Sequence, residues 1–431
     1  MKCLAFAVLG LVAAGAAAVL AFVQGPGEPS AEPEPPRSVI AGPLKFTEIR
    51  LLSKYTYSYA CSTVDLNGDG HLDIISSDAE PNSNLYLLLG DGKGGFKHSF
   101  IQKYQKQENQ PIRLERHAIG DINRDGKPDV VIVDNLKWDI RWFENPGKDA
   151  ITRPWKLHRV CAPKELPGSY DVAVADFDGD GDLDVAASSW RFGNRFDWFE
   201  NVGSPDKGTP GNGSKWQRHL IEEKIGETRA IVAADINKDG KPDLLGTSRT
   251  GNLVVWYENT GKPGKDRWKK HVIDDKTLSP MHGHAVDMDG DGDLDVLMTY
   301  GIVTPDSANS HMICWYENVG KPGKGTEWKK HVIVAKFPSG FEAVAGDLDG
   351  DGDIDVVATG WGPKGRIVWV ENTGDPRKDW KLHAIKENWP NAVTVILADF
   401  NRDGRLDICA SAERGANELR WWRNEGRVKA K

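Results

Sequence analysis

The pattern Asp-x-Asp/Asn-x-Asp-Gly-x-x-Asp occurs seven times along the chain, starting at Asp65, Asp121, Asp176, Asp235, Asp287, Asp347 and Asp399. Successive starts lie 56, 55, 59, 52, 60 and 52 residues apart. A fixed period of this size restricts a chain to solenoids, propellers or arrays. It outweighs the length prior of about 150 residues per domain, which would cut 431 residues into separate bodies.

Alignment on the first Asp reveals four β-rich runs per repeat. One precedes the acidic loop (Phe341 to Gly346, Val393 to Ala398) and one follows it (Leu294 to Thr299, Ile354 to Thr359), so the loop is a hairpin connection. A third run ends in Trp142-Phe143-Glu144-Asn145 and its equivalents at Trp198, Trp256, Trp315, Trp369 and Trp421. After a Gly/Lys-rich turn, a fourth carries Trp155/His158, Trp216/His219, Trp268/His271, Trp328/His331 and Trp380/His383. Seven such units predict an all-β, seven-bladed β-propeller of four-stranded antiparallel blades, in which radial closure removes most free sheet edges. The last repeat stops after its third run at Asn424, and Leu44 to Leu52 resembles an unassigned fourth strand. The N-terminal strand is therefore expected to complete the C-terminal blade. Recurring Trp and His residues read as packing elements between blades.

These loops and strands resemble the FG-GAP/VCBS repeat family, the seven-bladed propeller of integrin α heads, over about residues 44 to 424. The resemblance implies that each acidic loop joins the innermost strand of a blade to the second and binds calcium. The chain departs from integrin heads in having an acceptable loop in every blade.

The loop residues themselves argue for a hard cation. Calcium takes six to eight oxygens, and carboxylates at positions 1, 3, 5 and 9 with a backbone carbonyl at 7 supply them from one turn. Four repeats carry Asn at position 3: Asp65/Asn67/Asp69/Asp73, Asp121/Asn123/Asp125/Asp129, Asp235/Asn237/Asp239/Asp243 and Asp399/Asn401/Asp403/Asp407. Three carry Asp there: Asp176/Asp178/Asp180/Asp184, Asp287/Asp289/Asp291/Asp295 and Asp347/Asp349/Asp351/Asp355. An ordinary Asx turn explains one such loop, but seven clusters of carboxylates repel strongly without a cation. Up to seven structural Ca2+ ions are expected, bound more tightly where position 3 is Asp. Gly at position 6 should take a positive φ. An EF-hand is excluded by strand flanks and by the missing twelfth-position Glu.

The ligand positions hold 24 of the 63 acidic residues, so the net charge of −8 is local, and with no basic stripe present nucleic acid is not an expected partner. Residues 1–24, with Lys2 before an apolar run from Leu4 to Val23, read as a signal peptide or a retained N-terminal anchor, the only expected membrane contact. Residues 25–43 read as a Pro/Glu-rich linker, 44–424 as the propeller and 425–431 as a tail. The expected product is a monomer, secreted to the periplasm or the cell surface. Cys61, Cys161, Cys314 and Cys409 have no metal spacing and are open to disulfide or free-thiol readings.

Specific function is expected where the repeats differ. Five residues before each first Asp stand Ala60, Arg116, Asp171, Ala230, His282, Glu342 and Thr394, placed by the family resemblance near the channel mouth. One residue earlier are Tyr59, Glu115, Tyr170, Arg229 and Phe341. Strand alternation would turn His282 and His284 the same way. Arg116, Asp171, Arg229, His282, His284 and Glu342 are therefore the candidate ligand-binding set. His282, His284 and Glu342 suit a transition metal, while His282, Tyr170, Arg116 and Glu342 suit catalysis on a sugar acid. The favoured reading is a binding or scaffold module for an extracellular protein or glycan. The alternative is a secreted polysaccharide lyase or sugar dehydratase.

Overall fold

The computed structural model describes residues 34–53, 55, 57–79, 84–103, 112–203, 211–261, 268–302, 309–320 and 323–428. The expected signal or anchor lies outside them. Seven antiparallel sheets form a seven-bladed propeller. Six have four strands in sequential order, such as Thr228–Ala234, Asp243–Ser248, Leu253–Glu258 and Lys269–Asp274 in blade 4. The innermost strands, Ser58–Val64, Leu114–Gly120, Ser169–Ala175, Thr228–Ala234, Pro280–Val286, Gly340–Gly346 and Ala392–Ala398, touch one another in a closed cycle. They open blades 1 to 7 in that order.

Closure takes the expected route. Leu44–Ser53 pairs antiparallel with Glu418–Arg427, so one sheet joins the two ends of the chain. A further strand, Arg37–Ala41, pairs with Leu44–Ser53 and makes blade 7 five-stranded. These five residues fall in the stretch expected as linker. Val39 packs against the blade-7 core and the Trp369 indole donates to the Ala41 carbonyl at 3.1 Å, which holds the segment in place despite its prolines.

Second strands are the driest elements. Asp129–Asp134, Asp243–Ser248 and their equivalents are buried at every position because they face neighbouring blades on both sides. The repeated Trp joins blades while the His works within one. Trp142 and Trp256 donate to the Gly213 and Gly325 carbonyls of the following blade, at 3.2 and 2.7 Å. Each also stacks on the His of its own fourth strand, with centroids 4.0 Å apart for Trp142/His158 and 4.3 Å for Trp256/His271. The His Nε2 then meets the Glu of the third strand, as in His158–Glu144 at 2.7 Å and His271–Glu258 at 2.8 Å. The Asn ending that strand is a second inter-blade latch. Asn145 and Asn259 Nδ2 donate to the Leu66 and Phe177 carbonyls of the preceding blade. Cys61, Cys161, Cys314 and Cys409, the cysteines among the described residues, are buried free thiols.

Candidate functional site

Each acidic loop is a turn built on its own carboxylates. In blade 1, Asp65 Oδ1 accepts from the Gly68 and Asp69 amides and Oδ2 from Gly70. The position-6 glycines have φ from 83° to 94°, as expected, with nothing crowding most of them, so backbone conformation alone selects glycine. The position-9 Asp sits below the turn. In blade 4, Asp243 Oδ2 accepts from the Ile236 amide at 3.0 Å and Oδ1 from the Asn259 amide at 2.8 Å, tying loop to third strand. The other blades repeat this arrangement, with Gly90 replacing Asn in blade 1. Burial, partly offset by the two amides, raises these carboxyls, Asp243 to about 7 and Asp184 to about 9.

Three loops gather ligand oxygens tightly. Those of Asp176, Asp178 and Asp184, of Asp287, Asp289 and Asp291, and of Asp347, Asp349 and Asp351 each lie within 4.8 Å of one another. This hard-oxygen donor set fits a divalent cation such as calcium and offers nothing soft for zinc or copper. These are the loops with Asp at position 3.

The remaining expected ligand residues stand outside these three clusters of carboxylate oxygens. In blade 3, Asp180 stands outside the cluster and Asp184 takes its place. Asp180 Oδ1 accepts from the Asp182 amide at 3.1 Å, as Asp291 and Asp351 accept from the Asp293 and Asp353 amides, and its charge adds to the burial that raises Asp182 to about 7. The four position-3 asparagines bond within their own turns. Asn67, Asn123 and Asn237 Oδ1 accept from the Asp69, Asp125 and Asp239 amides at 2.9, 3.0 and 3.0 Å. Asn401 Nδ2 donates to Asp403 at 2.9 Å. A neutral amide capping the backbone in this way is the ordinary Asx turn. In blades 2, 4 and 7 a base at position 7 also pairs with the position-5 Asp: Lys127 with Asp125 at 2.5 Å, Lys241 with Asp239 and Arg405 with Asp403. Asp295 and Asp355 stand outside their clusters, and like Asp184 each accepts from two amides below the turn.

The polar candidates of the innermost strands come together, though not at an open mouth. Every innermost strand has a register irregularity near its start, for example between Ser169 and Asp171, Pro280 and Gly283, and Gly340 and Glu342. Such bulges break the alternation assumed from sequence. Consequently both rings, six and five residues before the loop, turn inward and close the channel. Tyr59, Tyr170, Met281, Phe341 and Val393 form one apolar cluster with Ala79 and Ile302. Toward the acidic loops the strands become half-exposed, as in the pattern of Thr228–Ala234.

Below that plug Arg116 is the hub. Its guanidinium reaches Asp171 at 3.2 Å and Glu342 at 2.8 Å, bridging blades 2, 3 and 6. Burial alone would raise Glu342, but Arg116, His284 and His282 hold it well below the usual carboxylate range. Arg116 offsets burial only in part at Asp171, which stays raised. His282, 1% exposed, bonds Tyr170 Oη through Nε2 at 3.0 Å, and Tyr170 in turn meets Tyr59 Oη at 2.6 Å. Burial and the Arg116 charge push His282 down, so it is neutral. Arg229 lies over the Tyr170 and Trp190 rings, 4.7 and 4.2 Å from their centroids.

His284 alone faces solvent, 39% exposed, with Nε2 3.7 Å from Glu342. The transition-metal set is therefore not assembled: His282 spends Nε2 on Tyr170, and among the described residues only the three acidic loops gather three ligand atoms. The catalytic candidates are likewise engaged with one another, and Ala60, Ala230 and Thr394 complete a buried ring. Residues that sequence reasoning missed include Glu115 and Glu413, buried with one unpartnered oxygen each. Their signal was weak, since Glu115 appeared only as a neighbour of Arg116.

Comparison with known proteins agrees with the architecture. Residues 121–187, 235–298 and 347–410 match the model of the FG-GAP-like repeat, each span running from one acidic loop through the next. The chain carries FG-GAP-like repeats. Cartilage acidic protein 1 of Mus musculus is 21% identical over 58% of this chain and 41% of its own length. Integrin alpha-PS3 of Drosophila melanogaster is 27% identical over 30% of this chain and 13% of its own. The chain thus spans less than half the length of these curated relatives. Among solved structures, an Agrocybe aegerita lectin described as recognising non-reducing terminal N-acetylglucosamine superposes with a TM-score of 0.54 at 15% identity, covering 90% of this chain and 95% of the lectin. At that identity the likeness concerns the fold. No helix among the described residues is long and apolar enough to cross a membrane.

Proposed function

We propose that this FG-GAP-like propeller is a calcium-stabilised binding module that works outside the cytoplasm and presents one propeller face to a protein or glycan. The observation that carries the calcium part is the convergence of three carboxylates within 4.8 Å in blades 3, 5 and 6, on turns already shaped by their own backbone amides. Asp176 would hold the ion with Asp178 and Asp184, Asp287 with Asp289 and Asp291, and Asp347 with Asp349 and Asp351. Bound there, calcium supplies charge neutralisation and crosslinks the two ends of each hairpin.

A binding rather than catalytic role is supported by the polar plug. Arg116, Asp171, Glu342, His282 and Tyr170 satisfy one another inside the ring, an arrangement that locks blades 2, 3, 5 and 6 together. The apolar leader and the integrin-type resemblance support export. Arg116, Asp171, Arg229, His282, His284 and Glu342 then act chiefly by holding the ring, with His284 the accessible member.

The test is titration of metal-free protein with calcium, followed by glycan and extracellular-protein arrays with the loaded form. Binding of ions with a rise in melting temperature and a reproducible array ligand is the expected outcome. A melting curve indifferent to calcium and EDTA would remove the metal reading, and blank arrays would remove the binding reading.

A further inference from the structure

A cleft of about 620 Å³ lies between the outer strands of blades 1 and 2, within the size range of small-ligand sites. Its base is apolar, with Phe143 and Trp155, and its rim is basic, with Lys103, Lys137, Arg159 and Lys164. Behind it the buried Arg141 is held by Asp134 at 2.6 Å and Asp139 at 3.0 Å, and Arg159 also reaches Asp139 at 2.5 Å. These acids are consumed by the two arginines. Among the described residues Lys137, Lys164 and Lys103 form no ion pair, and Lys103 Nζ lies 5.3 Å from the Phe100 ring centroid. Three ammonium groups lining one cleft with no carboxylate paired to them among the described residues, in a chain whose net charge is −8, are a local field for an anion.

Beside the rim lies an aromatic pair, half-buried at Trp138 and exposed at Phe192. Lys137 precedes Trp138, whose ring lies 5.5 Å from that of Phe192, and Phe192 is 69% exposed. Backbone bonds fix this edge: the Lys164 amide donates to the Lys137 carbonyl at 2.8 Å and the Leu166 amide to the Trp138 carbonyl at 3.0 Å. Trp138 and Lys164 both hold positive φ, at 60° and 73°, which costs energy for side-chain-bearing residues and sets these two at the rim. Cations to meet acid groups and flat faces to meet sugar C–H faces are thus arranged in one strip.

We infer that this strip and cleft bind an acidic oligosaccharide, one carrying carboxylates or sulfates, with the acid groups on Lys137, Lys164 and Lys103 and a sugar ring against Trp138 and Phe192. The inference rests on the binding role proposed above and names its ligand class. The cleft lies on the propeller rim, apart from the acidic loops and the polar plug.

The experiment measures binding of the calcium-loaded full chain to four probes of one length. These are a sulfated hexasaccharide, a hexagalacturonate, a neutral chitohexaose and a hexathymidylate. The sulfated probe or the uronate should bind, whichever is tighter identifying the acid group, while chitohexaose should not. The K137A/K164A double variant should weaken that binding about tenfold and F192A about threefold, with melting temperatures unchanged because all three side chains lie at the surface. Binding undiminished in both variants, or hexathymidylate binding as tightly as the better sugar, would overturn the inference. So would absence of hexasaccharide binding at low salt. Should the arrays still yield a ligand in that case, the general binding role stands and only this cleft fails.

Discussion

The acidic loops of blades 3, 5 and 6 and those of blades 2, 4 and 7 share a backbone and differ in charge. Each of the former holds five carboxylates and no base over nine residues, a formal −5, because position 7 is Asp182, Asp293 or Asp353. Each of the latter holds three carboxylates and two bases, a formal −1: Arg124 and Lys127, Lys238 and Lys241, Arg402 and Arg405. Even the strain differs. Gly179, Gly290 and Gly350 take the left-handed position 4 without cost, whereas Arg124, Lys238 and Arg402 take it at φ of 63°, 56° and 59°. The lesson is that one hairpin can be neutralised from inside by a lysine or from outside by an ion. On the calcium reading proposed above, the ring would then need fewer ions than its seven matching motifs imply.

The largest effect should come from removing metal. At a thousandfold excess over Kd an ion contributes about 4 kcal/mol, so three loops lose about 12 kcal/mol on chelation. For a ring of this size that corresponds to a fall of about 15 °C in Tm. Replacing Asp178, Asp289 and Asp349 with Ala should reproduce the fall and abolish further sensitivity to EDTA, whereas N123A/N237A/N401A should leave the EDTA effect intact. Calorimetry with and without EDTA on both triple variants is the check, and equal behaviour of the two would break the comparison.

Next in size is a contrast with the metal-free plug. Arg116→Ala leaves Asp171 and Glu342 buried without their cation, costing about 3–5 kcal/mol. The loss should be the same in calcium and in EDTA, since no acidic loop touches Arg116. Its pH dependence has a definite sign. Glu342 is depressed in the folded state, so its contribution is full above its ordinary value of about 4.3 and is lost progressively as pH falls from there toward and through the lowered folded value. Urea titrations at pH 7 and pH 3 should find the gap between wild type and variant narrower at pH 3.

How much of this was legible in the chain follows from what each feature depends on. The blades, the closing strand and the loops were legible because hydrophobic runs, turn residues and Asp spacing are local. Which loop oxygens converge was only partly so, since the motif treats position 5 alike in every loop while Asp291 and Asp351 join a cluster and Asp180 does not. The plug was not legible. Tyr170 and Asp171 are adjacent, so alternation would send one inward and the other away, but the irregularity between Ser169 and Asp171 lets both turn toward the axis. Nothing in one strand's composition announces a bulge whose purpose is served by six other strands. The strand at Arg37–Ala41 was hidden for a similar reason, since its partner, Leu44–Ser53, is itself placed by a strand at the far end of the chain.

A third test asks whether position 9 is a ligand or a strut. Asp243→Ala in blade 4 strips acceptors from the Ile236 and Asn259 amides, at about 1.5 kcal/mol or more for each charge-assisted bond, or about 3 kcal/mol together. Asp184→Ala in blade 3 should cost the same in EDTA and more in calcium, because Asp184 also belongs to a ligand cluster. Equal costs in calcium, read from urea unfolding, would make position 9 a strut everywhere. A gain-of-site variant sharpens the same point: N237D/K241D turns the blade-4 loop acidic and should add one calcium by equilibrium dialysis, at a stability change near zero in EDTA.

The smallest effect concerns the competition for an acidic loop. Arg377, from the blade-6 turn, pairs with Asp289 of the blade-5 loop and with Glu317 at 2.8 Å, and Arg427 reaches Asp349 at 2.8 Å and Asp351 at 3.2 Å in the blade-6 loop. Both guanidiniums are partly exposed, so each pair is screened and worth little by itself. They nevertheless stand where a cation would stand, and a bound calcium would have to displace them. The blade-3 loop has no such guanidinium among the described ion pairs, and its Asp182 instead accepts from the Gly211 amide. Arg377→Gln should therefore tighten calcium at the blade-5 loop severalfold while leaving blade 3 unchanged, seen as one site of the isotherm moving past another. Weaker binding in that variant would mean that the arginine steadies the loop for the ion instead of competing with it, and the inside-or-outside contrast would then hold for lysines at position 7 alone.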